Sequence, residues 1–173
     1  MIHSRTCLAI GLAFLVAAPA IHGQPRQPPD PMKAITASFN SVHKNLLDMA
    51  EDFPSDKYGF KPKPEMRSFG EVLVHVFSGT TYAAKAGRGE AVQWSELDPK
   101  SYADKAAVVA GFKKAIAEAD ATLKATPAAR FAASPEPWLS VIEHSAEHYG
   151  LLVAYYRLNN LVPPASRPKT PKK

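Results

Sequence analysis

Apolar residues recur at helical spacing in the first half of the chain. One such segment covers residues 31–52. Asp30, just before the segment, suits an N-cap, and Pro31 suits the first helical position. A second segment begins with the capping box Ser68-Phe-Gly-Glu71 and runs to about Ala86. The start signals and the spacing together predict two amphipathic helices.

Two further helical segments follow in the second half. The sequence Ser101-Tyr-Ala-Asp104 reads as another capping box, with Asp in place of Glu, and predicts a helix to about Ala125. Ser134-Pro135 opens a fourth helix, which ends near Asn159. Proline-rich and glycine-containing linkers separate the segments, and no strand pattern stands out. Four amphipathic helices predict an all-α fold, a four-helix bundle.

Two histidines one turn apart are the main chemical signal of the fourth predicted helix. At about 100° per residue, His144 and His148 share a face with apolar residues, namely Val141, Leu151, Leu152, Tyr155 and Leu158. The i, i+4 spacing directs both imidazoles to one place, as in helices that bind metals. Gly150 in the same helix suggests the close approach of another backbone.

Two other histidines lie in predicted helices, and their roles stay open on spacing alone. His75 is about 120° from the centre of the apolar face of its helix. It is therefore either a third metal ligand or a half-exposed surface residue. His43 lies at the edge of the first apolar face, where a packed or partly exposed core-edge role is expected and a fourth ligand or an acid/base group is the alternative. Glu71 is one turn from His75 and could orient its ring, but it also closes the capping box.

The N-terminus has the pattern of an export signal. Arg5 precedes an apolar run from Leu8 to Ala18, and small residues follow that fit a cleavage site after Ala20 or Gly23. An uncleaved anchor is the alternative. We therefore expect a signal peptide (residues 1–23), a Pro-rich linker (24–29), one helical domain (30–162) and a disordered Pro/Lys-rich tail (163–173). The expected location is periplasmic or secreted, with no transmembrane span after cleavage.

Composition narrows the chemistry of the mature chain. Cys7, the single cysteine, lies in the predicted signal, so a metal would be held by nitrogen and oxygen ligands. Of the 21 Lys and Arg residues, six lie outside residues 30–162, which leaves 15 against 16 Asp and Glu and a net charge of −1. A neutral domain argues against nucleic-acid binding. The residue after His144 is Ser145, so the H-E-x-x-H motif of metalloproteases is absent.

Three stretches resemble the secreted branch of the DinB-like (DinB/YfiT-like) metalloenzymes. They are Asp56-Lys-Tyr-Gly-Phe-Lys-Pro-Lys-Pro-Glu-Met-Arg-Ser-Phe-Gly-Glu-Val-Leu-Val-His75, Glu143-His144-Ser-Ala-Glu-His148-Tyr-Gly-Leu-Leu-Val-Ala-Tyr-Tyr-Arg157 and Leu161-Val-Pro-Pro-Ala-Ser166. The resemblance covers residues from about 39 to 166 and implies a four-helix bundle of the DinB/YfiT type. It implies divalent-metal ligation by His75, His144 and His148, and it assigns no ligand role to His43. Some members resemble transferases or isomerases that use a low-molecular-weight thiol of the cytoplasm, which an exported chain would not meet.

Three functional hypotheses follow from these residues. The first is an exported metal-dependent hydrolase or transferase, because three imidazoles leave a coordination position for water or substrate. The second is a metal- or ligand-binding bundle without catalysis, since no general base stands out. The third makes the histidines core residues that bond to Tyr82, Tyr149 or Tyr155. The sequence does not separate Zn, Ni, Fe and Mn, names no catalytic residue or small-molecule ligand, and leaves a homodimer open.

Overall fold

A computed structural model of the chain describes residues 30–168 and is all-helical there, which confirms the predicted fold class. Its α-helices are α1 (Pro31–Asp52), α2 (Phe69–Gly87), α3 (Lys105–Ala125), α4 (Ala128–Ala133) and α5 (Glu136–Leu158). Single 3₁₀ turns occur at Ser55–Lys57, Pro99–Ser101 and Pro164–Ser166. Within the described residues, no helix combines the length and apolar character needed to cross a bilayer.

The helix starts show how far capping signals determine the boundaries. Asp30 accepts from the backbone N–H of Met32 at 2.9 Å and caps α1 as predicted. Both halves of the Ser68–Glu71 capping box are formed at α2. The predicted box at Ser101 is wrong. Asp104 is itself the N-cap of α3 and accepts from the N–H of Ala107, whereas Ser101 ends a 3₁₀ turn.

The second half of the bundle differs from the prediction in two further respects. A six-residue helix, α4, lies between α3 and α5 and was not predicted. The buried face of α5 centres on the fully buried Ser145, while His144 and His148 lie at its flank with intermediate exposure. Leu158, predicted to share the buried face, is 59% exposed. Gly150 is exposed, and a Cβ there would meet nothing within 4 Å, so no backbone approaches it.

The long helices are arranged so that each packs against two others. α2 packs against α3 and α5, and α1 packs against the same two helices. α1 and α2 are therefore diagonal partners across the bundle, as are α3 and α5. This arrangement brings side chains of α2 and α5, which carry the three candidate ligands, to one shared interface.

Two apolar clusters form the core. One contains Phe53, which stacks on Phe69 at 3.8 Å between ring centroids, and the other contains Phe39, Leu123 and Trp138. The buried His43 ring contacts both, lying 4.0 Å from the ring of Phe39 and 6.2 Å from that of Phe112 between centroids. Burial of these aromatic side chains is the main stabilising contribution to such a bundle.

The start of the predicted disordered tail packs against the domain. Arg167 donates to both carboxylate oxygens of Asp52, and the hydroxyl of Tyr156 donates to the same carboxylate at 3.1 Å. The segment at Pro164–Ser166 thus contacts α1, and a bidentate ion pair joins Arg167 to the last residue of that helix. The predicted signal peptide and linker (residues 1–29) and the last five residues of the predicted tail (169–173) lie outside the described residues.

Candidate metal centre

Three histidines from two helices converge at the α2–α5 interface. Their candidate ligand atoms, one for each of His75, His144 and His148, all lie within 4.8 Å of one another. The Nε2 atoms of His75 and His144 are 2.9 Å apart. The ring centroid of His148 lies 4.9 Å from that of His75 and 4.4 Å from that of His144. We call these three residues the histidine cluster; it contains the residues that the sequence singled out.

The local helix geometry leaves the ring nitrogens of the cluster in position to act as ligands. In α5, Nδ1 of His148 bonds to the carbonyl oxygen of His144 at 2.8 Å and so carries the proton. Its Nε2 is then the unprotonated nitrogen that can bind a metal. In α2, the glycine at residue 79 leaves room for the His144 ring to lie against the helix. A Cβ there would lie 3.1 Å from Nδ1 of His144.

The cluster fits a divalent metal ion. Tetrahedral zinc with Zn–N bonds of about 2.0–2.1 Å places ligand nitrogens about 3.3 Å apart. The 2.9 Å separation of the Nε2 atoms of His75 and His144 therefore needs to widen by only a few tenths of an ångström. Two imidazole nitrogens this close either share a proton or bind a common cation. Nδ1 of His144 is buried without a hydrogen-bond partner among the described residues.

The surroundings favour the neutral imidazoles that metals require. Burial is the main cause that lowers the pKa of His144 to about 4, and the neighbouring His148 and His75 rings add to this effect. Burial also lowers the pKa of His75, and the positive charge of Arg67 acts in the same direction. Neutral imidazole at physiological pH is the form that ligates a cation.

His43 does not belong to the cluster. It is completely buried, and its Nδ1 donates to the carbonyl oxygen of Phe39 at 2.8 Å. Its Nε2, the unprotonated nitrogen, lies 3.1 Å from the hydroxyl of Thr80 and 3.3 Å from that of Ser145 and can accept one hydroxyl proton. The expected packed role is therefore what the structure has, although the residue lies in the centre of the bundle rather than at its edge. Burial lowers the pKa of His43 to about 4.

Glu71 does not orient His75. Its carboxylate accepts from the backbone N–H of Ser68 at 2.6 Å and pairs with Lys61 at 3.1 Å. The carboxylate that contacts His75 belongs to Glu96, with 3.1 Å between its Oε1 and Nδ1 of His75. The sequence analysis missed Glu96 because it lies in the irregular α2–α3 connection. A single acidic residue in such a connection carries no periodic signal.

Trp94 from the same connection lies beside the cluster. Its ring centroid is 5.9 Å from that of His75, 6.3 Å from that of His144 and 6.0 Å from that of Tyr82. The side chain stays 48% exposed. A cavity of about 400 Å³ between α2 and the connection is lined by Tyr82, Lys85 and Gln93, but neither by Trp94 nor by a histidine of the cluster. In the part of the chain that the structure describes, Tyr82, Tyr149 and Tyr155 make no hydrogen bond to the cluster, and the hydroxyl of Tyr155 donates to the carbonyl of Arg67.

These features define a helical bundle with a three-histidine cluster between two facing helices. The chain belongs to the DinB superfamily, whose sequence model matches residues 38–155. The match covers the whole of α2 and all three histidines of the cluster. No curated protein matches the chain closely enough to count as a relative.

Proposed function

We propose that the protein is an exported, metal-dependent enzyme, a hydrolase or transferase, with a divalent ion bound by His75, His144 and His148. The observation that carries the proposal is the composition of the cluster. Among the described residues, the group of metal-binding side chains contains three imidazoles and no fourth protein ligand. A three-ligand site keeps a position for a reacting molecule, whereas structural sites are closed by four.

The other residues considered as ligands support this assignment. A fourth ligand from His43 or Glu71 would have closed the site. The ring of His43 is instead held by Thr80 and Ser145, and Glu71 is held by Ser68 and Lys61. A divalent ion in the cluster would supply Lewis acidity at the open position. The half-exposed ring of Trp94, which lies beside His75 and His144, offers an apolar surface for a small substrate.

One observation favours the alternative, a metal-binding bundle without catalysis. An enzyme of this class needs a group that moves a proton near the ion. Glu96, the carboxylate that contacts the cluster, is already shared between His75 and Arg67. On this alternative the cluster binds and holds an ion, and the open position takes a small ligand without reaction.

Spectroscopy of the cobalt-substituted protein tests whether the site is open. Added azide or a small thiol should change the visible spectrum of the Co(II) form if a coordination position is free. The His43→Gln variant serves as a control, because it should respond as wild type does. A spectrum that no added ligand changes would indicate a closed site and would contradict the proposed enzyme.

Export is the second part of the proposal and rests on the pattern of residues 1–23. Expressed in a bacterium with an outer membrane, the full chain should lose roughly 20 residues and leave the cytoplasm. The mature form should not react with thiol reagents, since Cys7 is removed. A full-length, thiol-reactive cytoplasmic product would refute export and make a cytoplasmic thiol available as a co-substrate.

A further inference from the structure

Glu96 joins two residues from different parts of the fold. One carboxylate oxygen lies 3.1 Å from Nδ1 of His75, and the other accepts from the guanidinium of Arg67, also at 3.1 Å. His75 comes from α2, Arg67 precedes α2, and Glu96 lies in the connection between α2 and α3. A carboxylate held on one side by a guanidinium has its second oxygen fixed in direction.

Backbone hydrogen bonds at or next to Glu96 and Arg67 anchor these two residues to the bundle. The backbone N–H of Leu97, next to Glu96, donates to the hydroxyl of Ser78 at 3.0 Å. Ser78 is buried and donates in turn to the carbonyl of Val74. The carbonyl of Arg67 accepts from the hydroxyl of Tyr155 at 2.6 Å. The contact of Glu96 with His75 is thus fixed by buried groups on either side, unlike an ordinary surface ion pair.

The three histidines differ in what holds their Nδ1 atoms. Nδ1 of His148 donates to a carbonyl of its own helix, and Nδ1 of His144 is buried without a partner. Nδ1 of His75 faces Glu96 at hydrogen-bonding distance, although the angle is not that of a hydrogen bond. Binding of a metal requires the two Nε2 atoms, now 2.9 Å apart, to separate slightly, and the same movement of the His75 ring would change its angle to Glu96.

We propose that Glu96 is a positioning residue for His75. Its carboxylate accepts the Nδ1 proton of His75 and so directs Nε2 of that ring towards the metal. The proposal rests on the metal site of the proposed function. Carboxylates that accept from a ligating imidazole fix its tautomer and orientation and raise its basicity. Because the Glu96 side chain is 32% exposed, its ion pair with Arg67 contributes little to folding. Its effect therefore falls on metal binding and not on stability.

Zinc affinity of the untagged mature chain tests the proposal. Competition with a chelator should show that Glu96→Gln binds zinc about 10- to 100-fold more weakly than wild type. The matched control is Glu90→Gln, which removes a carboxylate of the same connection that pairs with Arg88. This control should bind as wild type does. Thermal unfolding of the metal-free Glu96→Gln protein should equal that of wild type.

A spectroscopic readout separates positioning from a structural role. In the zinc-loaded wild type, ¹⁵N NMR should show His75 with its proton on Nδ1 and a downfield Nδ1–H signal. The signal should shift in Glu96→Gln and return in part in Glu96→Asp. Equal zinc affinity and an unchanged His75 signal in Glu96→Gln would overturn the role of Glu96 but would leave the metal site standing. Failure of the wild type to take up zinc would refute the metal site together with it.

Discussion

Gly79 of α2 and His144 of α5 are in direct contact, since a Cβ at residue 79 would lie 3.1 Å from Nδ1 of the imidazole and 3.3 Å from its Cε1. Both distances are tighter than ordinary van der Waals contacts. The absence of a side chain at Gly79 is therefore what lets the His144 ring lie against α2, with its Nε2 towards His75. This close approach sets the geometry of the histidine cluster.

The Gly79→Ala substitution should weaken metal binding. The added methyl must displace the His144 ring by a few tenths of an ångström, and ligand geometry is sensitive to such shifts. We expect a loss of about tenfold in zinc affinity, measured by chelator competition. Gly150→Ala is the control, because its Cβ would meet nothing within 4 Å. It should leave affinity unchanged and stabilise α5 by up to about 1 kcal/mol. Equal affinity in both variants would contradict the role given to Gly79.

The four histidines of the described chain should fall into two groups. Replacing His75, His144 or His148 by Ala should abolish tight metal binding, because each removes one of three ligands. His43→Ala should instead lower the free energy of unfolding by about 1–3 kcal/mol, since it removes the ring nitrogen that contacts the buried hydroxyls of Thr80 and Ser145. Metal content after dialysis and urea unfolding measure the two effects. Loss of metal in folded His43→Ala would place that residue in the site.

His43 should make the metal-free protein less stable in mild acid. Its pKa is lowered from 6.5 to about 4 by burial. The unfolded chain thus takes up a proton near pH 6.5 that the folded chain refuses until about pH 4. Stability is therefore complete above pH 6.5 and falls as pH decreases through this window, by roughly 3 kcal/mol at most. Urea unfolding from pH 7 to 4 should show a smaller decrease for His43→Gln. Parallel curves would contradict the assignment.

Trp94 should report metal binding through its fluorescence. Its ring lies 5.9 Å from that of His75, within the short range over which Co(II) or Cu(II) quenches an indole. The second tryptophan, Trp138, is buried against Gly87, which is about 12 Å along α2 from Gly79. Titration with Co(II) should quench wild type strongly and Trp94→Phe weakly. Equal quenching in the two proteins would place the ion away from Trp94.

Local signals in the sequence are enough to predict most of the fold. α1 has the predicted bounds because Asp30 and Pro31 define its start without a competitor. The start of α3 was misplaced because two capping residues, Ser101 and Asp104, lie three positions apart, and the later one caps the helix. α4 was missed because six residues between prolines are too few to show a period.

The candidate site is predictable only in part, for a physical reason. Helical spacing relates His144 to His148, but the closeness of His75 to both depends on how α2 packs on α5. Periodicity placed His75 off the buried face, and its side chain is indeed 16% exposed at the flank. Glu96 and Trp94 reach the cluster through an irregular connection. Its path is set by tertiary bonds such as that of Leu97 to Ser78.

The metal content of the purified protein tests the central claim most directly. The mature chain, produced without a histidine tag and equilibrated with zinc, should retain about one ion per chain after gel filtration, since one set of three ligands is present. The variant with Ala at positions 75, 144 and 148 should retain none while remaining folded by circular dichroism. A wild type that retains no ion, or a triple variant that retains as much as wild type, would contradict the account.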